Sequence, residues 1–217
     1  MTRKKRTAIL ISGRGSNMAA LIEAAEAEGF PAEIVAVLSN RPDAPGLERA
    51  RAAGLKAEAI DHRAFATRDD FEAALEARLE AYVIDLVALA GFMRLMTASF
   101  VERWHGRMIN IHPSLLPAFP GLATHQRALE AGVRVHGCTV HYVTPGMDEG
   151  PIIAQAVVPV EPGDTAEALA ARVLAAEHRL YPAALARVAR GEAPIVGGRV
   201  EVVRGDLLTV NGGDLSP

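Results

Sequence analysis

Cysteine, long apolar runs and an excess of basic charge are all missing from this chain of 217 residues. Its one cysteine, Cys138, excludes an intrachain disulfide framework and suits a reducing compartment, so we expect a cytoplasmic protein. The longest apolar stretch, Val83 to Ala90, is interrupted by Asp85 and has the length of a strand rather than of a membrane span. No apolar segment typical of a signal peptide follows the N-terminal basic residues. The net charge of −3 gives no indication of a nucleic-acid or membrane partner.

The chain has the length of one α/β domain, and half of its residues are apolar, which is enough for the core of a layered fold. We therefore expect a single domain over residues 1–217. Residues 1–6 include the basic run from Arg3 to Arg6 and are predicted to form a solvated tail. Residues from about 191 to 217 are Gly-rich and predict a short edge pair of strands and a loosely structured tail.

Short β-rich runs alternate with helical patterns through the first two thirds of the sequence. This alternation is typical of an α/β fold, here an open, mostly parallel, Rossmann-like sheet with helices on both faces. The predicted strands are Thr7 to Ile11, Glu33 to Leu38, Lys56 to Ile60, Asp85 to Ala90 and Met108 to Ile111. The predicted helices are Ser16 to Glu28, Leu47 to Ala53, Arg68 to Ala81 and Ala98 to Trp104. Ser16 or Asn17 is expected to cap the first helix.

The pattern changes in the C-terminal third of the chain. One helix and two strands are predicted there, namely Thr124 to Ala131, Val135 to Val143 and Ile152 to Val160. The turn-rich linker between the two strands predicts a different sheet edge or an antiparallel extension. A long helix follows, capped by Asp164 or Thr165, and Pro182 is expected to break or kink it after Leu180.

Asn110 and His112 stand two residues apart at the end of the fifth predicted strand, so their side chains leave it on the same side. Pro113, Pro117 and Pro120 then end regular structure and predict a rigid loop. An amide and an imidazole facing one small volume suit acyl chemistry, because the charge that develops on a carbonyl oxygen must meet positioned donors. The alternative is a strand end with a buried Asn and a hydrogen-bonded His, and the motif alone leaves both interpretations open.

The segment Ser12-Gly13-Arg14-Gly15-Ser16-Asn17 joins the first strand to the first helix. Glycines allow a tight turn, and free N–H groups at the start of a helix attract anions. The dinucleotide fingerprint lacks its third glycine, because Met18 stands there, and the Gly-Lys-Ser/Thr ending of the nucleoside-triphosphate loop is also absent. A monophosphate seat at Gly15, Ser16 and Asn17 remains, with an ordinary glycine turn as the alternative.

The segment from Ala90 to Met96 leaves the fourth predicted strand. Ligands of open α/β sheets bind beyond the C-terminal ends of strands, so we expect this loop and the loop after Asn110 to border one crevice. The apolar side chains of the loop either line a slot for a flat heterocycle or belong to the core: Phe92, Met93, Leu95 and Met96.

Asp148 lies in the turn-rich linker, and a carboxylate near an imidazole favours the protonated ring. Next to Glu149 it could equally be a solvated or capping residue, and its distance from His112 does not follow from the spacing. His136 and His141 are predicted to lie on opposite faces of a strand, so no metal site is expected.

Together these segments resemble the folate-dependent formyltransferases. The resemblance runs from about Ala8 to about Pro182 and rests on several segments in a fixed order: Ile11 to Asn17, Ser39-Asn40, Gly46 to Ala50, Leu89 to Arg94, Ile109 to Pro117, Asp148 to Ile153 and Glu177 to Pro182. It implies the transfer of a formyl group from 10-formyltetrahydrofolate, as a co-substrate, to the amine of 5-phosphoribosylglycinamide in purine (IMP) synthesis. No metal, nucleic acid or membrane partner is implied, and the protein is expected to be a monomer or a homodimer.

The resemblance also implies the roles of individual residues. The family's catalytic trio matches Asn110, His112 and Asp148. The positions that bind the phosphorylated substrate match Gly15, Ser16, Asn17 and Glu177. The positions that bind the folate match Arg68, Met93, Arg94, Leu95, Met96 and Asn110. Arg14 stands where the family varies between asparagine and arginine, and it receives no role.

Three other functions are alternatives to this interpretation. Formyltetrahydrofolate hydrolase shares the trio but usually carries an N-terminal regulatory domain, for which a first strand near Thr7 is expected to leave no room. Methionyl-tRNA formyltransferase adds a basic C-terminal domain, whereas this chain has a net negative charge. A non-catalytic module that binds phosphorylated ligands would keep the glycine loop without any need for the trio.

Overall fold

The computed structural model describes residues 3–201 and 208–209 of the chain. Its strands are β1 (Lys5–Ile11), β2 (Ala32–Ser39), β3 (Lys56–Ala59), β4 (Leu86–Leu89), β5 (Met108–His112), β6 (Val135–Tyr142), β7 (Ile152–Pro159), β8 (Ile195–Val196), β9 (Arg199–Val200) and β10 (Leu208–Thr209). Its helices are α1 (Ser16–Glu26), α2 (Pro45–Ala52), α3 (Arg68–Ala81), α4 (Ala98–Arg103), α5 (Thr124–Glu130) and α6 (Ala166–Arg190), and residues His62–Ala64 form a 3₁₀ turn.

One eight-stranded sheet has the order β10-β7-β6-β5-β4-β1-β2-β3. Strands β1 to β5 pair in parallel, whereas β6 runs antiparallel to both β5 and β7. The predicted α/β class, parallel sheet and antiparallel extension are therefore confirmed. Strands β8 and β9 form the expected short pair, and residues 202–207 and 210–217 of the predicted tail lie outside the described residues.

Helices cover both faces of the sheet because the central strands are apolar along nearly their whole buried length. Ile9 and Ile11 of β1 pack into one cluster with α1, α2 and α6, while Ala8 and Leu10 pack into another with α3 and α4. Side chains of a strand point alternately to its two sides, so one run of buried apolar residues fills both cores. None of the helices in the described part of the chain has both the length and the apolar character needed to cross a bilayer.

Helix α6 continues through Pro182, so of the break or kink predicted after Leu180 the break is wrong. A proline inside a helix removes one hydrogen bond and costs about 3 kcal/mol. Buried neighbours offset this cost: Leu180, Tyr181 and Leu185 are each at most 1% exposed. The Tyr181 hydroxyl also donates to the backbone oxygens of Leu89 (3.0 Å) and Ile109 (3.2 Å), which anchors the helix to the ends of β4 and β5.

The tail predicted over residues 1–6 extends too far, because β1 already begins at Lys5. Arg6 lies within that strand, and its guanidinium contacts the Glu33 carboxylate at 2.9 Å and the Tyr82 backbone oxygen at 2.9 Å. Its backbone N–H donates to Asp85 at 2.8 Å. These partners bring a residue expected in solvent into the sheet.

Candidate active site

The glycine loop joins β1 to α1 and leaves the first N–H groups of the helix free. Gly15 is the N-cap residue with φ 70°, and no side chain caps the helix, so the predicted cap by Ser16 or Asn17 is wrong. The Asn17 amide instead donates to Glu177 Oε2 at 2.7 Å. Because no side chain occupies the helix start, its N–H groups are available to an anion.

Glycine is required at two places where this loop meets α2. A β-carbon at Gly46 would lie 2.5 Å from Ile11 Cδ1 and 2.9 Å from the Gly13 oxygen. A β-carbon at Gly15 would lie 3.0 Å from Met18 Cε, in addition to the strain of its positive φ. The loop therefore packs closely against α2, and the Gly46 N–H donates to the Gly13 oxygen at 3.0 Å.

A cavity of about 510 Å³ lies over the glycine loop, at the C-terminal ends of β1, β2 and β4. The Ser12 hydroxyl joins the surrounding loops, since it donates to Asn40 Oδ1 at 2.5 Å and accepts from the Met93 N–H at 2.8 Å. The polar and charged side chains that line the cavity are Ser12, Arg14, Ser16, Asn17, Asn40, Arg41, His62 and Arg94. Arg41 and His62 carried no binding signal in the sequence, and Asn40 entered only as part of a segment that carries the resemblance.

Glu177 reaches the glycine loop from the middle of α6 and is 6% exposed. Burial raises the pKa of its carboxyl, and the hydrogen bond from Asn17 offsets this rise in part. The Asn17 amide oxygen is buried and has no hydrogen-bond partner in the described part of the chain. A ligand with hydroxyl or N–H donors would satisfy this oxygen, and the pair thus provides acceptors beside an anion seat.

His112 ends β5 and is nearly buried, with both ring nitrogens facing oxygen acceptors. Its Nδ1 lies 3.4 Å from Asp148 Oδ2, and its Nε2 lies 3.1 Å from the backbone oxygen of Phe119. A ring that carries a proton on each nitrogen donates to both partners at once. The geometry therefore suits an imidazolium that is held between a carboxylate and a carbonyl.

Asp148 takes its position through an unusual backbone conformation. Its φ is 56°, in the left-handed region that aspartate tolerates better than most residues. The Gly121 N–H donates to Asp148 Oδ2 at 2.8 Å, so the carboxylate bridges the loop after β5 and the linker between β6 and β7. The turn-rich linker thereby carries its carboxylate to the end of β5.

Asn110 lies opposite His141 in the antiparallel pairing of β5 with β6. The Asn110 Nδ2 and the His141 Nε2 are 3.2 Å apart, and the His141 Nδ1 lies 2.9 Å from the backbone oxygen of Tyr142. Burial lowers the pKa of His141, which favours a neutral ring that donates from Nδ1 and accepts at Nε2. His141, which the sequence analysis considered only as a metal ligand, thus orients the Asn110 amide.

A second, narrower cavity of about 110 Å³ borders Asn110 and Asp148. Its walls include the loop after β4 and the linker before β7: Leu89, Phe92, Arg94, Leu95, Met96, Val101, Asn110, His141, Val143, Thr144, Pro145, Gly146, Met147 and Asp148. Met93 lines the larger cavity instead and is 69% exposed, while Leu95 is 57% exposed. Large apolar side chains that stay exposed at the mouth of a cavity are typical of a binding site.

Arg94 lines both cavities and therefore stands where they meet. Its guanidinium lies 5.2 Å from the ring centre of Phe71, and its buried Nε has no partner among the described residues. Arg68, in contrast, is exposed at the first position of α3 and lines neither cavity. The structure thus brings the predicted site residues other than Arg68 together around the ends of β1, β4 and β5. His112 and Glu177 line neither cavity, but they contact Asp148 and Asn17, which do.

No group of three His, Cys, Asp or Glu side chains within residues 3–201 has the arrangement of a metal site. His136 contacts His125 and Phe119 through ring edges, whereas His141 contacts Asn110. The two histidines of β6 therefore have different neighbours.

Comparison with known proteins identifies the family. A model described as formyl transferase matches residues 5–185. The phosphoribosylglycinamide formyltransferase of Escherichia coli is 46% identical over 183 residues, which cover 84% of this chain and 86% of that protein. The human trifunctional purine biosynthetic protein adenosine-3 is 48% identical over 189 residues, and these cover 87% of this chain but 19% of that longer protein. For the fruit fly protein of the same name, the chain spans 14% of the length.

Solved structures give the same result. A crystal structure of glycinamide ribonucleotide transformylase 1 from Symbiobacterium toebii has a TM-score of 0.90 and 50% identity, and the match covers 94% of this chain and 96% of that one. The phosphoribosylglycinamide formyltransferase of Brucella melitensis has a TM-score of 0.84 and 57% identity, with 86% and 96% covered. The chain described here belongs to the formyl transferase family.

Proposed function

We propose that this formyl transferase moves the formyl group of 10-formyltetrahydrofolate to the amine of 5-phosphoribosylglycinamide in purine synthesis. One observation carries the proposal: Asn110, His112 and Asp148 meet at the end of β5, beside the cavity over the glycine loop. The names of the relatives support the same acceptor and the same pathway.

The acceptor binds along the ends of the parallel strands. Its phosphate occupies the N–H groups at Gly15, Ser16 and Asn17, where the helix start is open. Its ribosyl hydroxyls donate to the Glu177 carboxylate and to the Asn17 oxygen, which has no other donor within residues 3–201. This arrangement directs the amine toward β5.

The folate binds along the loop after β4. Its flat ring enters the narrow cavity beside Asn110, and the exposed Met93 and Leu95 cover the part that follows the ring. Arg94, where the two cavities meet, donates from its unpaired Nε to the carboxylate end of the folate. Arg68, further from the cavities, also binds this carboxylate end. The formyl group then lies between the ring and the acceptor amine.

The reaction requires charge to be stabilised on the formyl oxygen. The amine nitrogen attacks the formyl carbon, and the C=O electron pair moves to the oxygen, which becomes an oxyanion. The Asn110 amide and the His112 ring donate to this oxygen, while Asp148 holds the ring charged and oriented. A proton passes from the attacking nitrogen to the folate nitrogen through water. The oxyanion pair then re-forms the C=O bond, the bond from carbon to the folate nitrogen breaks with its electron pair on that nitrogen, and the two products separate. Binding both substrates in one crevice supplies the orientation that a bimolecular reaction lacks.

Without substrate, the Phe119 carbonyl accepts from His112 Nε2, the same nitrogen that donates to the formyl oxygen in the reaction. In the substrate complex the formyl oxygen takes over this interaction, so the Phe119 backbone must withdraw. Phe119 has φ 55° and lies in a loop held by the hydrogen bond from Gly121 to Asp148. The loop thus keeps a substitute acceptor on His112 until the substrate arrives.

The test is an assay of the purified protein with 10-formyltetrahydrofolate, with and without 5-phosphoribosylglycinamide. Formation of tetrahydrofolate only in the presence of the amine, together with formylated acceptor in equal amount, is the expected result. Product without the amine would instead identify a hydrolase. Absence of product in both reactions, with tight binding of the ribonucleotide, would identify a binding module.

A further inference from the structure

Arg14 is the middle residue of the glycine loop and lines the 510 Å³ cavity. Within residues 3–201 its guanidinium has neither an ion pair nor a hydrogen bond. Arg41, which lines the same cavity, differs because Asp43 accepts from its Nε at 3.1 Å and from its Nη2 at 2.8 Å. Arg14 therefore places an unpaired cation at the edge of an anion seat.

We propose that Arg14 binds the phosphate of the acceptor substrate and so contributes to the preference of this chain for a phosphorylated acceptor. The inference rests on the proposed function and adds a residue to it. The N–H groups at the start of α1 satisfy one side of a phosphate, and a phosphate dianion keeps further oxygen acceptors on its open side. The planar guanidinium fork of arginine matches two of these oxygens at once.

The backbone around Arg14 is already fixed, which favours such a contact. The Ser12 N–H donates to the Gly91 oxygen at 3.0 Å, and the Gly13 oxygen accepts from the Gly46 N–H at 3.0 Å. Gly15 packs against Met18 and Gly46 on the other side. Binding therefore has to order one side chain and no backbone, so a larger part of the interaction free energy remains as affinity.

The contribution of Arg14 is expected in binding rather than in the chemical step. The phosphate seat lies at the end of β1, whereas the reacting carbon lies at the end of β5, with β4 between them. An interaction that is equally strong in the bound substrate and in the transition state lowers KM and leaves kcat unchanged. Arg14 is thus a substrate-binding residue and not a catalytic one.

The experiment compares two acceptors, 5-phosphoribosylglycinamide and the same compound without its phosphate, in wild-type protein and in Arg14→Ala and Arg14→Lys. For Arg14→Ala we expect a rise of about tenfold in the KM of the phosphorylated acceptor, at unchanged kcat, as for one partly exposed hydrogen bond to a charged group. The KM of the acceptor without phosphate stays at its wild-type value. Arg14→Lys keeps the charge but not the fork, so its KM falls between the two.

Arg103→Ala is the matched control, because Arg103 is an exposed arginine at the end of α4 and lines a different cavity. This variant keeps the wild-type KM for both acceptors. An unchanged KM of Arg14→Ala for the phosphorylated acceptor would overturn the inference, and so would an equal loss with both acceptors. If the wild-type protein transfers no formyl group, the proposed function fails, and calorimetric binding of the phosphorylated acceptor still decides the role of Arg14.

Discussion

The Asp148 carboxylate lies 3.4 Å from the Nδ1 of His112, although the two residues belong to different segments on either side of β6. The same carboxylate oxygen accepts the Gly121 N–H, so one side chain orients both the imidazole and the loop that covers it. If the ring acts as a cationic donor to an oxyanion, Asp148 acts through the ring and is a positioning residue.

Replacing Asp148 by asparagine should lower kcat by about a hundredfold or more, since the ring loses the charge that favours its protonated form. Asparagine also tolerates the left-handed backbone of this position, and its side-chain oxygen keeps the bond from Gly121, so the fold should survive. Steady-state kinetics should therefore show a change in kcat with little change in either KM. Glu149→Gln removes the adjacent, exposed carboxylate and serves as the control. Near-normal turnover of Asp148→Asn would exclude the positioning role.

Asn110 and His141 should act as one unit, since the His141 Nε2 accepts from the Asn110 amide. We expect Asn110→Ala to lower kcat by about 10²- to 10³-fold, as for the loss of one oxyanion donor. His141→Ala should cost about tenfold, because the amide remains but loses its orientation.

The double variant of Asn110 and His141 separates this hypothesis from two independent effects. If the imidazole acts only through the amide, the double variant resembles Asn110→Ala alone, and the losses are not additive. Multiplication of the two separate losses would show that His141 contributes by another route. His105→Ala, a change at an exposed histidine, serves as the control for the loss of an imidazole.

The sequence was sufficient for the sheet, the helices and the two strand ends that carry the site. Asn110 and His112 follow from strand periodicity, and the glycine loop follows from its position between a buried strand and a helix. The contact between Asp148 and His112 could not be predicted, because it depends on the pairing of β6 with β5 and on a positive φ at Asp148. The resemblance to a family supplied this residue where the spacing did not.

His141 was missed for a related reason. Its position opposite Asn110 depends on the register of an antiparallel pair, and the pairing of β6 with β7 shifts between Val140 and His141. A shift of one residue turns a side chain to the other face of the sheet, and no local signal determines it. The error at Pro182 has the opposite origin: the local rule was applied correctly, but burial along α6 outweighed it.

Glu177 should favour binding of the ribonucleotide but lower the stability of the free protein above the ordinary carboxyl pH range. Burial raises the pKa of this carboxyl, so the folded chain disfavours its charged form, and stability decreases as the pH rises from the ordinary carboxyl range through the raised pKa. Glu177→Gln should therefore unfold at a higher temperature than the wild type at pH 8, while the Asn17 amide keeps an oxygen acceptor. The same change should raise the KM for the ribonucleotide without lowering kcat.

Thermal unfolding at pH 8 and at pH 4 checks the Glu177 prediction, since the advantage of Glu177→Gln should shrink at the lower pH. Glu28→Gln serves as the control, because Glu28 is an exposed carboxylate in the turn after α1 and has no hydrogen bond or ion pair within residues 3–201. A variant that is less stable than the wild type at pH 8 would mean that the carboxylate is stabilised in the free protein.

His136 should make the folded protein sensitive to acid. Its ring is 1% exposed, packs edge-on against Phe119 and His125, and has a buried Nε2 without a partner among the described residues. Burial, together with the smaller effect of the neighbouring His125, lowers its pKa to about 4. The unfolded chain therefore binds a proton near pH 6.5 that the folded chain refuses until about pH 4, so stability is lost as the pH falls through this interval.

His136→Gln should flatten this dependence. A pKa difference of this size corresponds to roughly 3 kcal/mol of unfolding free energy between neutral pH and pH 4, at about 1.4 kcal/mol per unit. Urea unfolding at several pH values measures how steeply the unfolding free energy changes with pH. This slope does not depend on any pH-independent loss of stability that the substitution causes. Burial also lowers the pKa values of His125, His141 and His178, so part of the slope should remain in the variant. A variant that keeps the full wild-type slope, as expected for the exposed control His105→Gln, would show that His136 is hydrated or paired in solution.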